Sequence, residues 1–267
     1  PLLRDNQAGF RPGRGCTDQV FSLRMIMAKR LEFRQPTCIL FVDFKAAFDS
    51  VNRSALWQVL EEYGIPSKLV VLLKAVYNNT CCSVRVNGRD SAAFPVDTGV
   101  RQGAIASPVL FNFAIDWVMQ KAVENCTAAG MKVGISLGSH EITDLDYADG
   151  IALLANNESD LQFFVDQVVM FGSMLGLAIN ADKTKVMSIC SPPLKICISG
   201  SELEIVDSFR YLGSLITTDS SCEHDVLSRI GLAQVSFQQL YPSLFSRQDI
   251  SINTKMHVYQ ASVKSVL

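Results

Sequence analysis

Thr143-Asp144-Leu145-Asp146-Tyr147-Ala148-Asp149-Gly150-Ile151-Ala152-Leu153-Leu154-Ala155 is the stretch on which the fold turns. Two short apolar runs flank a tight turn, a pattern that predicts a β-hairpin with Asp149 at its tip. The second run, Ile151 to Ala155, does not alternate. It therefore predicts a strand buried on both faces, with the carboxylate anchored on rigid core. Another apolar run, Cys38-Ile39-Leu40-Phe41-Val42, ends in Asp43. Two acids on neighbouring strand ends are hard oxygen donors able to hold divalent cations against a triphosphate. Taken singly, each acid reads equally well as a turn former where a strand leaves the core.

The chain has 267 residues, 48% hydrophobic and 19% charged, which predicts one large or two modest domains with a well-covered core and no disordered tail. No apolar run approaches the roughly 20 residues that span a bilayer, and no signal peptide is expected. Both ends read as cut from something longer. A net charge of −2 argues against a generic nucleic-acid binder, but its distribution is uneven. Residues 1–35 carry a balance of +4, while residues 133–182 hold eight acids and no Lys or Arg. A basic arm and an acidic centre suit a cation-dependent enzyme with a polyanionic substrate; ordinary solvated faces are the competing reading. Eight cysteines show no Cys-x-x-Cys spacing, so reduced, intracellular thiols are expected and a structural zinc is not. Nucleus and cytoplasm are not distinguished.

Helical spacing of Val20, Leu23, Met27 and Leu31 predicts a helix from Thr17 or Asp18 to Gln35. It follows a glycine-rich loop in which Arg11 and Arg14 are candidate phosphate contacts. Further helices are expected over 54–63, from Ser67 through Leu69, Leu72, Leu73 and Val76, over 107–125, from Ser159 or Asp160 to Gly172, and over 225–240. Asp49 reads as the cap of the 54–63 helix, and Ser107 as the cap of the 107–125 helix. Asn87-Gly88 predicts a hairpin with inward valines and outward arginines. Helices interleaved with few strands point to an α+β fold, a mostly antiparallel sheet backed by helices.

Five blocks stand in order: Phe41 to Val51, Thr98 to Pro108, Tyr147-Ala148-Asp149, Gly176 to Asn180 with Lys183-Thr184-Lys185, and Phe209 to Gly213. Together they resemble a reverse transcriptase domain of a non-long-terminal-repeat (LINE-type) retrotransposon, from Asn6-Gln7-Ala8-Gly9-Phe10-Arg11 onward. The resemblance implies a right-hand polymerase fold. Fingers would occupy 1–38 and 65–100, the palm 39–64 and 101–216, and the start of a thumb 217–267. It further implies Asp43 and Asp149 as catalytic metal ligands for Mg²⁺, with Mn²⁺ as a substitute. Lys183 would meet the leaving pyrophosphate, with Lys185 as fallback. Phe44 and its neighbours would meet the triphosphate, and Phe48 would screen out a 2′-hydroxyl. Arg101, Gln102 and Gly103 would lie at the nascent base pair. Arg11, Arg14, Tyr211 and Gly213 would touch RNA template or DNA primer, and the substrates would be deoxynucleoside triphosphates.

The resemblance breaks at Gly150, where the family carries a second Asp. Glycine suits the turn but offers no oxygen to a metal. Asp146, three residues before Asp149, is expected to point to the opposite face of its strand and cannot replace it. The expected function is therefore an RNA-directed DNA polymerase core with impaired activity. The alternative is a catalytically dead, retroelement-derived protein that binds RNA or primer–template without extending it.

Overall fold

The computed structural model describes residues 3–138, 140–192 and 194–267. The chain divides into two compact units, the first running to Asp207 and the second spanning Ser208–Leu267.

A five-stranded sheet organises the first unit. Its strands are β1 (Thr37–Val42), β2 (Asp144–Tyr147), β3 (Gly150–Ala155), β4 (Lys185–Ile189) and β5 (Glu204–Ile205), in the spatial order β5-β4-β1-β3-β2. Every pair is antiparallel except β4 with β5, which run parallel. The unbroken apolar runs of β1 and β3 follow from their central places: all six residues of β1 are buried, as are Ile151 to Ala155 of β3. Leu40, Val42, Ile151 and Leu153 join the core formed with α5 (Ser107–Ala128) and α6 (Glu158–Met174). Side chains of opposite parity, Ile39, Phe41, Leu154 and Met187, are equally buried, on the side where α1 (Cys16–Glu32) brings Leu23, Ile26 and Met27. Full burial of Phe41 alone is worth about 1.5–3 kcal/mol.

Two short helices, α2 (Ala47–Ser50) and α3 (Arg53–Glu62), follow β1. The cap of α3 is Asn52, whose side chain accepts from the Ala55 amide, not the expected Asp49. Likewise α5 is capped by Ala106, with Ser107 already inside the helix and its hydroxyl bonded to that of Tyr77. The helix α4 (Ser67–Tyr77) forms, but it buries Val70 and Tyr77 while Leu69, Leu72 and Val76 stay at least half exposed. Asn87 and Gly88 both take positive φ, as their hairpin turn requires. Val84 and Val86 are exposed rather than inward, because a two-residue-per-strand hairpin has no second layer to cover it.

The second unit opens with a hairpin, β6 (Ser208–Tyr211) and β7 (Ser214–Thr217), followed by α7 (Glu223–Leu240) and α8 (Ile252–Val258). Asp225 of α7 latches the hairpin: its carboxylate accepts from the Ser214 hydroxyl at 2.7 Å and the Leu215 amide at 2.9 Å. Burial alone would push this carboxyl up. The Leu215 and Ser214 hydrogen bonds, with Arg229 beside it, hold it below the usual range instead.

Candidate active site

The sheet register brings the two candidate acids together. Val42 pairs with Ile151, so one further step sets Asp43 level with Gly150, beside the Ala148–Asp149 turn that joins β2 to β3. On the other flank Phe41 pairs with Lys185, and beyond a turn over residues 181–183 the pairing resumes with Phe44 opposite Ile179, so Asp43 is level with Asn180 and Lys183 lies in the intervening turn. Main-chain bonds fix this edge: the Asp43 amide donates to Thr184 Oγ1 at 3.2 Å, and its carbonyl accepts from the Asn180 amide at 2.8 Å. Asp43 is half-buried, while Asp149 and Lys183 are exposed. Lys185 is engaged elsewhere, with its Nζ 2.6 Å from Glu204 Oε2 and 2.6 Å from the Asp182 carbonyl.

The Asp149 turn is held by a residue that sequence reasoning did not single out. Gln7 is fully buried, and the segment around it runs parallel to β2, with the Ala8 amide donating to the Asp146 carbonyl and the Asp146 amide to the Asn6 carbonyl. Its Oε1 accepts from the amides of Ala148 (2.9 Å) and Gly9 (2.8 Å), and its Nε2 donates to the Ala148 carbonyl (3.3 Å). Ala148 sits at φ 56°, a region that non-glycine residues adopt only where their surroundings impose it. Gly9 permits the approach, since a Cβ there would lie 2.3 Å from the Ala148 nitrogen.

Two other acids of the predicted acidic centre do not serve this edge. Asp144 and Asp146 are fully buried, on the face of β2 shared with Ile151 and Leu153, where Asp116 of α5 joins them around one guanidinium. Arg4 Nε lies 3.1 Å from Asp116 Oδ1, and Nη2 lies 3.0 Å from both Asp144 Oδ2 and Asp146 Oδ2. Tyr63 donates to the remaining Asp116 oxygen at 2.7 Å. Burial, followed by the neighbouring Asp144 charge, pushes the Asp146 carboxyl well above its ordinary range; Arg4 opposes both without overcoming them. Burial alone would lower Arg4, but the Asp144 and Asp146 charges overturn that and hold it fully protonated. Part of the uneven charge seen in the sequence is thus an internal ion cluster rather than a field for a ligand.

A second group forms around the Thr98–Gly103 loop. The Val100 amide donates to the Phe48 carbonyl (2.7 Å) and the Gly99 amide to the Val51 carbonyl (2.8 Å), stitching the loop to α2. Only glycine fits at 99, where φ is 78° and a Cβ would lie 2.6 Å from the Asp49 carbonyl oxygen. Arg53 reinforces the loop by donating to the carbonyls of Val96, Thr98 and Gly99, each at 2.8 Å. Gln102 Nε2 lies 3.2 Å from both Asp49 oxygens, so Asp49 holds this amide rather than capping a helix. Arg101 donates to the Val76 carbonyl and Thr80 hydroxyl and lies over the Tyr77 ring, and Gly103 is exposed at φ 84°. Asp49, Arg53, Thr80, Arg101 and Gln102 border an open cleft of about 650 Å³. Phe48 is half-buried and stacks on Phe111, with ring centroids 4.2 Å apart.

Four predicted contacts sit elsewhere. Phe44 is only 6% exposed and belongs to the core, with its backbone bridged to Ile179. Arg11 Nη1 donates to the carbonyls of Arg4 (2.7 Å) and Gln7 (2.8 Å), which makes it a brace for its own loop. Tyr211 is 3% exposed inside the second unit, where Gly213 forms the hairpin turn at φ 83°. Arg14, by contrast, is exposed and pairs loosely with Asp5.

The donor set suits a hard cation in one respect. Among the described residues no three His, Cys, Asp or Glu side chains are grouped so as to hold a metal ion, so the described residues supply no cage of their own. Two carboxylates fit an oxygen-preferring ion whose other ligands are water and phosphate.

The chain is similar in sequence to retrotransposon proteins and in fold to telomerase. The Pol polyprotein of the retrotransposable element R2DM of Drosophila melanogaster is 27% identical over 219 residues, covering 78% of this chain and 20% of that protein. The RNA-directed DNA polymerase of the mobile element jockey of Drosophila funebris is 24% identical, covering 96% and 28% respectively. The chain thus spans under a third of the length of these curated relatives. Among solved structures, apo telomerase from Candida tropicalis, truncated from its C-terminal domain, superposes with a TM-score of 0.56 at 14% identity, covering 80% of this chain and 39% of that one. That likeness identifies the fold as the right-hand polymerase type. The profile of the family described as "Reverse transcriptase (RNA-dependent DNA polymerase)" matches residues 1–216, and its span takes in the Asp43 strand end, the Asp149 turn and the Gln102 loop alike: the chain belongs to the reverse transcriptase family.

Proposed function

We propose that this chain is the polymerase core of a non-long-terminal-repeat retrotransposon protein, transferring deoxynucleotides to a DNA primer on an RNA template, with activity impaired by Gly150. The observation that carries this reading is the register that sets Asp43 beside the Asp149 turn. Asp43 and Asp149 would hold Mg²⁺, or Mn²⁺ in its place. Such ions, when bound, stabilise the attacking and leaving oxygens of an in-line displacement at phosphorus. Lys183, in the turn that follows Asn180 and free of any ion pair among the described residues, meets the pyrophosphate charge. Phe48, backed by Phe111, bears on the sugar. Gln102, oriented by Asp49, and Arg101 beside it approach the templating base pair. Arg14 is the remaining basic side chain of its loop able to reach a phosphate, and Tyr211 and Gly213, in the hairpin of the second unit, would touch the primer. An RNA partner is supported by a related fold, telomerase from Candida tropicalis, solved in complex with a TWJ fragment of telomeric RNA.

Primer extension on an RNA template tests the reading. The native protein is expected to extend weakly or not at all in Mg²⁺, Gly150→Asp to extend, and Asp43→Ala in that background to abolish product. Equal, robust extension by the native and Gly150→Asp proteins would refute the impairment, and unchanged extension after Asp43→Ala would refute the site. Gly150 also favours a second reading, a protein that retains primer–template binding without chemistry. RNA binding with no product from either protein, at any Mg²⁺ or Mn²⁺ concentration, selects it.

A further inference from the structure

Phe10 is half exposed (52%) and takes φ 54°, a left-handed conformation that costs a non-glycine residue free energy and persists only where neighbouring structure enforces it. The enforcing contacts are visible. Gly9, immediately before it, lies against the Ala148 nitrogen, donates its amide to Gln7 Oε1, and has its carbonyl held by Asn112 Nδ2 at 2.7 Å. Arg11, immediately after it, is tied to the carbonyls of Arg4 and Gln7. The Phe10 ring is thereby carried on the same frame as the Asp149 turn. It meets Phe48 edge to face, with centroids 6.5 Å apart and planes at 87°. Phe48 is in turn stacked on Phe111, with planes 18° apart. Burial of apolar surface does not explain a half-exposed ring on a strained backbone. Confinement of the neighbouring ring does, because an aromatic backed on one side only can still tilt away from its support.

The geometry points to Phe10 as a positioning residue for nucleotide selection: it closes the free side of Phe48, so that Phe48 meets the sugar as a fixed wall and 2′-hydroxyl exclusion depends on both rings. This rests on the polymerase reading given above.

The test measures binding without chemistry. The full chain, native and Gly150→Asp, is given a dideoxy-terminated primer on an RNA template in Mg²⁺, and retention is titrated with the complementary deoxynucleoside or ribonucleoside triphosphate. Phe10→Ala is expected to reduce the deoxy-over-ribo preference by about twofold to twelvefold, the range an edge-to-face aromatic pair is worth. Phe10→Tyr, which keeps the ring edge, is expected to restore it, and Phe10→Leu to fall between. A fall in affinity for both nucleotides with the ratio unchanged assigns Phe10 a merely structural role and overturns the inference while leaving the polymerase reading intact. If the parent proteins retain neither nucleotide, or retain both equally, the polymerase reading fails and the inference with it.

Discussion

Replacing Arg4 by leucine removes the cation that the buried acids Asp116, Asp144 and Asp146 share. Four side-chain hydrogen bonds go with it, to Asp116, twice to Asp144 and once to Asp146. Breaking a buried ion pair by deleting one partner costs about 3–5 kcal/mol. Here Asp144 and Asp146 have no exposed surface, so the upper half of that range is expected at pH 8. The cost must depend on pH. Without Arg4, which opposes the effect of burial, the folded Asp146 carboxyl stays protonated further above the ordinary carboxyl pKa of about 3.9, whereas the unfolded chain has already released its proton. Folding then takes up a proton, and stability falls as pH rises above about 4 until the folded group ionises. Urea denaturation of the native and Arg4→Leu proteins at pH 5 and pH 8 measures this, with the deficit larger at pH 8. A deficit under about 1 kcal/mol, or one equal at both pH values, would refute the view that Arg4 neutralises this cluster. The companion substitution Asp146→Asn should cost less than about 1 kcal/mol at pH 7, because a neutral amide resembles the protonated carboxyl that burial already favours.

Gln7→Leu removes three bonds, two to Ala148 of the Asp149 turn and one to the Gly9 amide, and should lower stability by about 2–3 kcal/mol at roughly 1 kcal/mol each, with faster hydrogen exchange at the Ala148 amide as the local signature. Gly99→Ala should cost at least about 2 kcal/mol, since the left-handed backbone and the contact with Asp49 both resist a Cβ; thermal melts read the loss, and an unchanged melting temperature contradicts the packing argument. Lys183→Ala is expected to slow nucleotide incorporation by the Gly150→Asp protein without shifting its melt, whereas Lys185→Ala should alter the β4–β5 edge more than the rate. Should Lys185→Ala alone slow incorporation, the assignment of the two lysines reverses.

The sheet was legible because central strands are covered on both sides: the unbroken runs at Cys38–Val42 and Ile151–Ala155 admit few other readings. The juxtaposition of Asp43 and Asp149 followed from those strands once they were neighbours. Parity also put Asp146 on the far face, but parity cannot name what waits there; Arg4 is 142 residues away in the chain. Gln7 escaped notice for the same reason, since a buried amide bonded to a distant main chain leaves no periodic mark. Arg11 looked like a phosphate contact because guanidinium groups and carbonyl-rich loops are equally good partners, and spacing does not choose between them. In α4 the apolar period located the helix correctly, but Leu69, Leu72 and Val76 show that a period does not guarantee a cover.

The strand-like pairing of Asn6–Ala8 with β2 joins segments about 140 residues apart. During synthesis at about 5–20 residues per second, roughly 7–28 s separate the emergence of Gln7 from that of its partner Ala148. The aspartate turn therefore belongs to the late-assembling part of this unit, and Arg4 spends that interval without the acids that will enclose it. Lesions that slow elongation between these segments, or ligands that sequester the nascent amino-terminal stretch, should trap a protein whose helices are formed while its candidate site is not.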